Sequence, residues 1–336
     1  MAQPAVREAK CDNTWLLGYG SFSPDSRFGC SKINFQNDIF VRDDSRLDFS
    51  ETIAVMCDTV GNLLFYTNGV MVGDKNLNKM QGSDTLNPGY FSSYNWNGDS
   101  GYRTVQGALI LPFPNHADKY YLFHVRDRNP TFTAPTVPDK EGLYYTTIDM
   151  SLNTGLGQVT SLRNPIIQND SLDGRLLACR HANGRDWWIL VWNFRSGEYR
   201  SMLFDPQGVH ISPWRGTTAQ RSYFNLLGNI GQSAFSPDGS KFATNINLGE
   251  NFGNYVSLYD FDRCKGIISN PQYFHFNDSL PTGGVAFSPN SRYLYLNSAG
   301  KVYQHDLTQN PPIDTAAAPI AEWDGFMELG QLATTF

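Results

Sequence analysis

One unit is stated twice in this 336-residue chain: Gly231-Gln-Ser-Ala-Phe-Ser-Pro-Asp-Gly-Ser-Lys-Phe-Ala-Thr-Asn-Ile246 and Gly283-Gly-Val-Ala-Phe-Ser-Pro-Asn-Ser-Arg-Tyr-Leu-Tyr-Leu-Asn-Ser298, with Phe235 and Phe287 standing 52 positions apart. Self-similarity at this spacing predicts the blade of a β-propeller, because one four-stranded sheet cannot bury both of its faces without a neighbouring copy. The turn inside each copy is chemically specified. Pro237 and Pro289 pre-set φ, Asp238-Gly239 and Asn290-Ser291 are turn formers, and Gly239 is free to take positive φ. Tyr293-Leu294-Tyr295-Leu296 then reads as a strand packed on both faces.

Composition agrees with an all-β chain. Aromatic residues make up 14% and charged residues 17%, with 30 Gly and 18 Pro, as expected of strands joined by many tight turns. A net charge of −6 and the lack of any Lys/Arg run longer than two give no electrostatic footprint for nucleic acid or an anionic membrane. No apolar stretch approaches the roughly 20 residues of a membrane span, so no membrane insertion is expected. Met1–Ala5 has neither a basic region nor an apolar core and is not read as a signal peptide. The five cysteines (Cys11, Cys30, Cys57, Cys179 and Cys264) are widely spaced, with no C-x-x-C, and read mainly as small core residues.

Taken in order, residues 1–13 form a lead-in and 14–336 a single propeller domain. Trp15–Tyr19 and Lys32–Phe35 are short strands. The first strong hairpin joins Thr52–Cys57 to Leu63–Thr67 and continues through Asn68-Gly69, the best short turn signal, into Val70–Val72. Residues 81–102, rich in Gly, Asn and Ser, read as a long loop of the kind that carries binding groups. A second blade is expected from Gln106–Pro112, Lys119–Val125 and Gly142–Ile148. A third runs through Leu176–His181, Asp186–Trp192 and Glu198–Phe204, and the two repeat copies with Val256–Phe261 and Lys301–Asp306 give a fourth and fifth. Ile320–Trp323 and Gly330-Gln-Leu-Ala333 suggest part of another, so five blades plus a partial one are visible, six or seven if complete. A blade opened at Gly330 is expected either to be cut short or to be closed by strands such as Trp15–Tyr19. No apolar period of 3.6 runs beyond two turns, so helix is expected to be minor.

Asn62-Leu-Leu-Phe-Tyr-Thr-Asn-Gly-Val70 with Met80 downstream, Gln106-Gly-Ala-Leu-Ile-Leu-Pro-Phe-Pro114 before Lys119–Phe123, His181-Ala-Asn-Gly-Arg-Asp-Trp-Trp188, and Tyr259–Cys264 before Gly266 together resemble the propeller-like N-terminal region of large secreted Bacteroidetes proteins. Those proteins often end in a type IX secretion sorting domain. The resemblance covers residues from about 48 to 330. It implies an exported protein, extracellular or at the cell surface, and one that is part of a longer polypeptide or a larger surface assembly. It implies no particular reaction. The chain departs from that pattern in the wide separation of Trp15-Leu-Leu-Gly18 from Leu47-Asp-Phe49.

Several groups could carry chemistry. His181, Asn183, Arg185 and Asp186 could form a polar cluster in which Arg185 offers a donor fork to a carboxylate or sugar acid; the structural reading, a turn bracing neighbouring strands, is the stronger of the two. Tyr90, Phe91, Tyr94, Trp96 and Tyr102 could stack on sugar rings or anchor a partner protein, whereas Trp187, Trp188 and Trp192 read as blade packing. The six histidines show no zinc spacing, and no nucleophile elbow or phosphate loop occurs. No cofactor is expected, although the oxygen-rich Asn97-Gly-Asp-Ser-Gly101 could take calcium. Asp260 and Asp262 with Arg263 read as a turn network. The expected function is a non-enzymatic binding or scaffolding module with a protein partner or glycan as ligand. The alternatives are a propeller-scaffold enzyme acting on a polysaccharide and a structural subunit of a surface or secretion assembly.

Overall fold

The computed structural model describes residues 13–19, 29–35, 39–43, 49, 51–88, 101–102, 104–127, 140–172, 174–193, 196–217, 230–247, 253–276, 283–298 and 300–322. Among them, strands dominate and the helical content is a single 3-10 turn at Asn153–Gly155. The first sheet holds β1 (Thr14–Tyr19), β2 (Gly29–Asn34) and β3 (Ile39–Asp43). The second holds β4 (Ala54–Cys57), β5 (Leu63–Thr67) and β6 (Val72–Asp74). An eight-stranded sheet follows, made of two four-stranded halves. One is β7 (Ala108–Pro112), β8 (Lys119–Asp127), β9 (Lys140–Asp149) and β10 (Gln158–Leu172); the other is β11 (Leu177–Arg180), β12 (Trp187–Asn193), β13 (Glu198–Asp205) and β14 (Gly208–Thr217). The halves meet only at Leu172 opposite Asn193, and we treat them as the third and fourth blades. The fifth comprises β15 (Ile230–Phe235), β16 (Lys241–Asn247), β17 (Asn254–Asp262) and β18 (Ile267–Phe276). The sixth comprises β19 (Val285–Phe287), β20 (Tyr293–Ser298), β21 (Lys301–Asp306) and β22 (Ala321–Glu322).

Every strand pairs antiparallel with the next inside its blade, and the first strands of successive blades lie side by side. This is the radial arrangement of a β-propeller. Each first strand from the second blade on carries an alanine, at Ala54, Ala108, Ala178, Ala234 and Ala286. Next to these the backbones approach closely. Arg175 and Leu176 donate their amides to Val105 and Gln106, and Gln232 donates to Gly283. Gln106 goes further: its side-chain amide donates to the Ser233 carbonyl at 3.0 Å and accepts from the Ser233 N–H at 2.8 Å. It thereby links the third blade directly to the fifth.

Hydrophobic packing explains the blade order. Five apolar cores lie between successive sheets. Leu16, Cys30, Val55 and Tyr66 join the first to the second, and Met56, Phe65, Ile110 and Leu122 join the second to the third. Phe123, Val125, Trp187 and Phe204 join the third to the fourth, Trp188, Trp192, Phe242 and Tyr259 the fourth to the fifth, and Ala243, Leu258, Leu294 and Leu296 the fifth to the sixth. Strand β12 shows why the apolar runs do not alternate. Trp188, Leu190 and Trp192 face one neighbour while Trp187, Ile189 and Val191 face the other. Cys30, Cys57 and Cys179 are buried within these cores and Cys264 is exposed. Burial pushes the Cys179 thiol up to about 12.

The two repeat copies fold alike. Ser236 Oγ donates to Asp238 and accepts from the Lys241 amide, and Ser288 Oγ donates to Asn290 and accepts from the Tyr293 amide. Gly239 takes φ +67, and Ser291 occupies the matching place at φ +59. The N-terminal strands form a three-stranded sheet of their own, so six blades are described, within the six or seven expected of a complete propeller. The first two blades hold three strands each among the described residues. After β6 the chain bonds back through Met80 to Val72, bridges to the third blade at Gln81–Gln158, turns at Gly82 (φ +76) and returns through Leu86 to Val70. Residues 1–12 lie outside the described residues, and Asn13 is buried, donating to Asn34 and to the Gly61 carbonyl.

Candidate functional site

In an antiparallel blade the turns between first and second strands and between third and fourth strands share one end. The His181–Asp186 turn, between β11 and β12, lies at that end, together with the turns at Asp238 and Arg263. The cluster expected from the sequence does assemble, but its groups face one another. Arg185 grips Asp186 through two bonds of 2.6 and 2.9 Å, and Asn183 adds a third at 2.6 Å. These partners hold the Asp186 carboxyl below its ordinary range, Arg185 foremost. His181 Nδ1 accepts the Asn183 amide, so the proton sits on Nε2, 3.2 Å from the Cys264 carbonyl in the next blade. Arg263 completes the brace by donating to the carbonyls of Arg180 and Asp238 at 2.8 and 2.7 Å, while Trp188 Nε1 donates to the Arg263 carbonyl at 2.8 Å. Asp262 caps the Cys264 and Lys265 amides, and Asp260 pairs with Lys241 and Asn270. In this structure the motif's polar groups bond one another and the neighbouring turns.

That brace has a measurable consequence. Arg263→Ala removes two charge-assisted bonds between turns of different strands pairs, and we expect a loss of about 1–2 kcal/mol, read as a lower thermal midpoint. An unchanged midpoint would show that the turns hold without it.

Of the aromatic candidates, Tyr94 and Trp96 lie outside the described residues, as do Tyr90, Phe91 and most of the Asn97–Gly101 run. Tyr102 is buried, with its backbone bonded to Asn68 and Glu51 and its Cβ pressed against Gly69. Its ring is thus not presented to solvent. Another buried polar group is His124 on β8. Asn87 Nδ2 donates to the Gly69 carbonyl, which leaves its Oδ1 to accept from His124 Nδ1 at 2.8 Å. His124 Nε2 then accepts from the Thr146 hydroxyl at 3.2 Å. The ring is neutral, and burial lowers its pKa to about 3.

A groove of about 250 Å³ lies at the turn end of the third blade, on the face turned toward the fourth. Register builds it. Lys119 sits opposite Asp149, and Tyr121 opposite Thr147, so all four side chains share one face of the β8–β9 pair. Thr160 of β10 adds a hydroxyl 2.8 Å from that of Thr147. Aromatic rings form the wall. Phe113 stacks on His116 at 4.4 Å with the planes 3° apart, Tyr121 stacks on Tyr145 at 4.8 Å, and Phe204 of the fourth blade closes behind at 4.7 Å from Tyr121. Burial raises the Tyr121 pKa, with the nearby Tyr145 adding to it, so its phenol stays protonated. Asp149 is held ionised by the Ser151 hydroxyl and amide, which bond its Oδ1. The arrangement is a mixed set of donors and acceptors beside an aromatic surface. It is smaller than the roughly 300–1,000 Å³ of pockets that enclose a whole small molecule.

No family model matches the sequence, and no curated protein is significantly similar to it. Solved structures do resemble it. The Dos1 propeller is 13% identical, with 93% of this chain and 82% of that one covered at a TM-score of 0.47. A candidate 6-phosphogluconolactonase from Bacteroides uniformis is 12% identical, with 89% and 93% covered at 0.42. A second, from Bacteroides fragilis, is 11% identical, with 95% and 96% covered at 0.42. At these values the likeness says nothing about what this chain binds or does, and the propeller assignment rests on its own strand order and cores.

The groove was not among the residues singled out in the sequence. Lys119–Val125 and Gly142–Ile148 read there simply as strands. A signal was present in the period-two run Tyr145, Thr147, Asp149, which puts hydroxyl and carboxylate groups on one face of an otherwise apolar strand. Among the described residues no group of three or more His, Cys, Asp or Glu side chains stands close enough to hold a metal, and no helix is long and apolar enough to cross a membrane.

Proposed function

We propose that this propeller is a non-enzymatic binding module whose ligand, a glycan or a protein segment, is gripped at the groove between the third and fourth blades. The observation that supports it is the convergence of Lys119, Asp149, Thr147 and Thr160 beside the Phe113–Tyr121 wall. Aromatic surface supplies contact area and the polar groups fix orientation, the usual division of labour in a recognition site. A groove of this size and partial openness suits one unit of a longer ligand. The resemblance to secreted Bacteroidetes proteins supports an exported, cell-surface setting, with the module serving a larger assembly. Tyr94 and Trp96, outside the described residues, are proposed as a separate aromatic contact for a ligand.

The test is retention of ligands on glycan and peptide arrays by the purified chain, compared with Phe113→Ala and Trp96→Ala. Phe113→Ala should lose at least about tenfold in retention, since a central aromatic anchor contributes roughly 2 kcal/mol or more. Retention unaffected by Phe113→Ala would remove the groove from consideration. Release of shortened sugars during incubation would overturn the non-enzymatic reading.

A further inference from the structure

The charge pattern inside the groove narrows its ligand. Lys119 is exposed and its charge helps to keep its register partner Asp149 ionised across β8 and β9, yet among the described residues no carboxylate stands within 4.0 Å of its ammonium. Asp149 turns Oδ1 to the Ser151 amide and hydroxyl at 3.0 and 2.5 Å, which leaves Oδ2 without a hydrogen bond from the described residues. The groove thus offers one cationic donor and one anionic acceptor as direct cross-strand partners. Thr147 and Thr160 supply hydroxyls that can donate or accept, and the Tyr121 phenol adds another. The formal charge of this set is zero.

An anionic sugar would gain Lys119 but meet Asp149, and an amino sugar would gain Asp149 but meet Lys119. A neutral pyranose can use both. Adjacent hydroxyls donate to Asp149 Oδ2 and accept from the Lys119 ammonium, which are the charge-assisted bonds that survive competition with water best. The apolar C–H face of the ring then lies against the aromatic wall that begins at Phe113 and His116.

We infer that the groove binds a neutral hexose unit of a polysaccharide through vicinal hydroxyls held between Asp149 and Lys119. This rests on the reading of the groove as the binding site. A peptide would have to place its own opposite charges at the same cross-strand spacing.

The experiment is calorimetric titration of the intact chain with three hexasaccharides of matched length: a neutral glucan, an oligogalacturonate and a chitosan oligomer, each at low and high salt. Wild type is compared with Asp149→Asn, which keeps the Oδ1 cap on Ser151, and with Lys119→Met and Phe113→Ala. The neutral oligomer should bind with an affinity that salt barely changes. Asp149→Asn and Lys119→Met should each weaken it at least tenfold while thermal midpoints hold. Tighter binding of oligogalacturonate or chitosan, lost with salt, would overturn the inference and leave the groove as a binding site for a charged glycan. Binding indifferent to all three substitutions, or no glycan binding at all, would overturn the inference along with the site itself.

Discussion

Gly231→Ala is expected to destabilise the chain by at least about 3 kcal/mol and to abolish cooperative unfolding of the fifth and sixth blades. A Cβ built at Gly231 would stand 2.0 Å from the Asn245 carbonyl oxygen of the neighbouring strand, and the residue holds φ +145. The obstacle is backbone on both counts, so no rotamer relieves it. Gly283 is equally confined, with the Gly231 Cα 2.5 Å from its own missing Cβ. These two glycines let first strands of adjacent blades touch where Gln232 bonds to the Gly283 carbonyl. Chemical denaturation followed by tryptophan fluorescence would measure the loss. A midpoint within experimental error of wild type would mean that the inner strands are not as tightly joined as described.

Acid should destabilise the protein well before its carboxylates titrate. His124 is buried, its pKa lowered to about 3 first by desolvation and then by Arg163 and Arg126, while an unfolded histidine titrates near 6.5. The folded state therefore binds the proton less readily than the unfolded one. Stability is fully present above about pH 6.5 and falls as pH drops toward 3, at roughly 1.4 kcal/mol per unit, or about 3 kcal/mol by pH 4.5. Protonating Nε2 would also deprive the Thr146 hydroxyl of its acceptor. The carboxylates lie in a lower window. Asp186, Asp238 and Asp260 have lowered pKa values, so their contribution persists above about 3.8 and is lost only below it. Urea midpoints between pH 7 and 4.5 separate the histidines from the carboxylates. Burial lowers the His305 pKa as well, so His124→Gln should be less stable at pH 7 and keep only a shallower slope across that range, and an equally steep slope in the variant would assign the effect to other groups.

What was legible in the sequence follows from local chemistry. The Ser-Pro-Asp-Gly and Ser-Pro-Asn-Ser turns closed as read, because a proline, a turn-forming side chain and its own backbone are neighbours along the chain. The Asp260 and Asp262 network and the packing of Trp187, Trp188 and Trp192 were legible for similar reasons: polar residues cluster at turns, and an unbroken apolar run signals a strand buried on both faces. His181, Asn183, Arg185 and Asp186 were found as a group for the same reason, and the turn that holds them is local. That they brace the next blade depends on Arg263 and Cys264, more than seventy residues away.

The rest was decided by tertiary contacts. The two copies disclosed the propeller but not that Trp15–Tyr19 and its neighbours form a blade: Phe22-Ser-Pro-Asp-Ser-Arg-Phe28 carries the same turn motif but was not read as a third copy, and the blade is recognised by the core it builds with Val55 and Tyr66. Tyr102 looked like a binding aromatic in a polar loop, yet burial against Gly69 claims it. The groove is the clearest case. Lys119 and Asp149 are thirty residues apart, and only the antiparallel register of β8 and β9 makes them opposite one another, while Phe204 arrives from a different blade. Sequence alone determined that this chain folds as stacked β-sheets, because turn chemistry and apolar runs are written locally. Which polar side chains meet was settled by strand register and blade packing, because those contacts join residues that the chain itself keeps far apart.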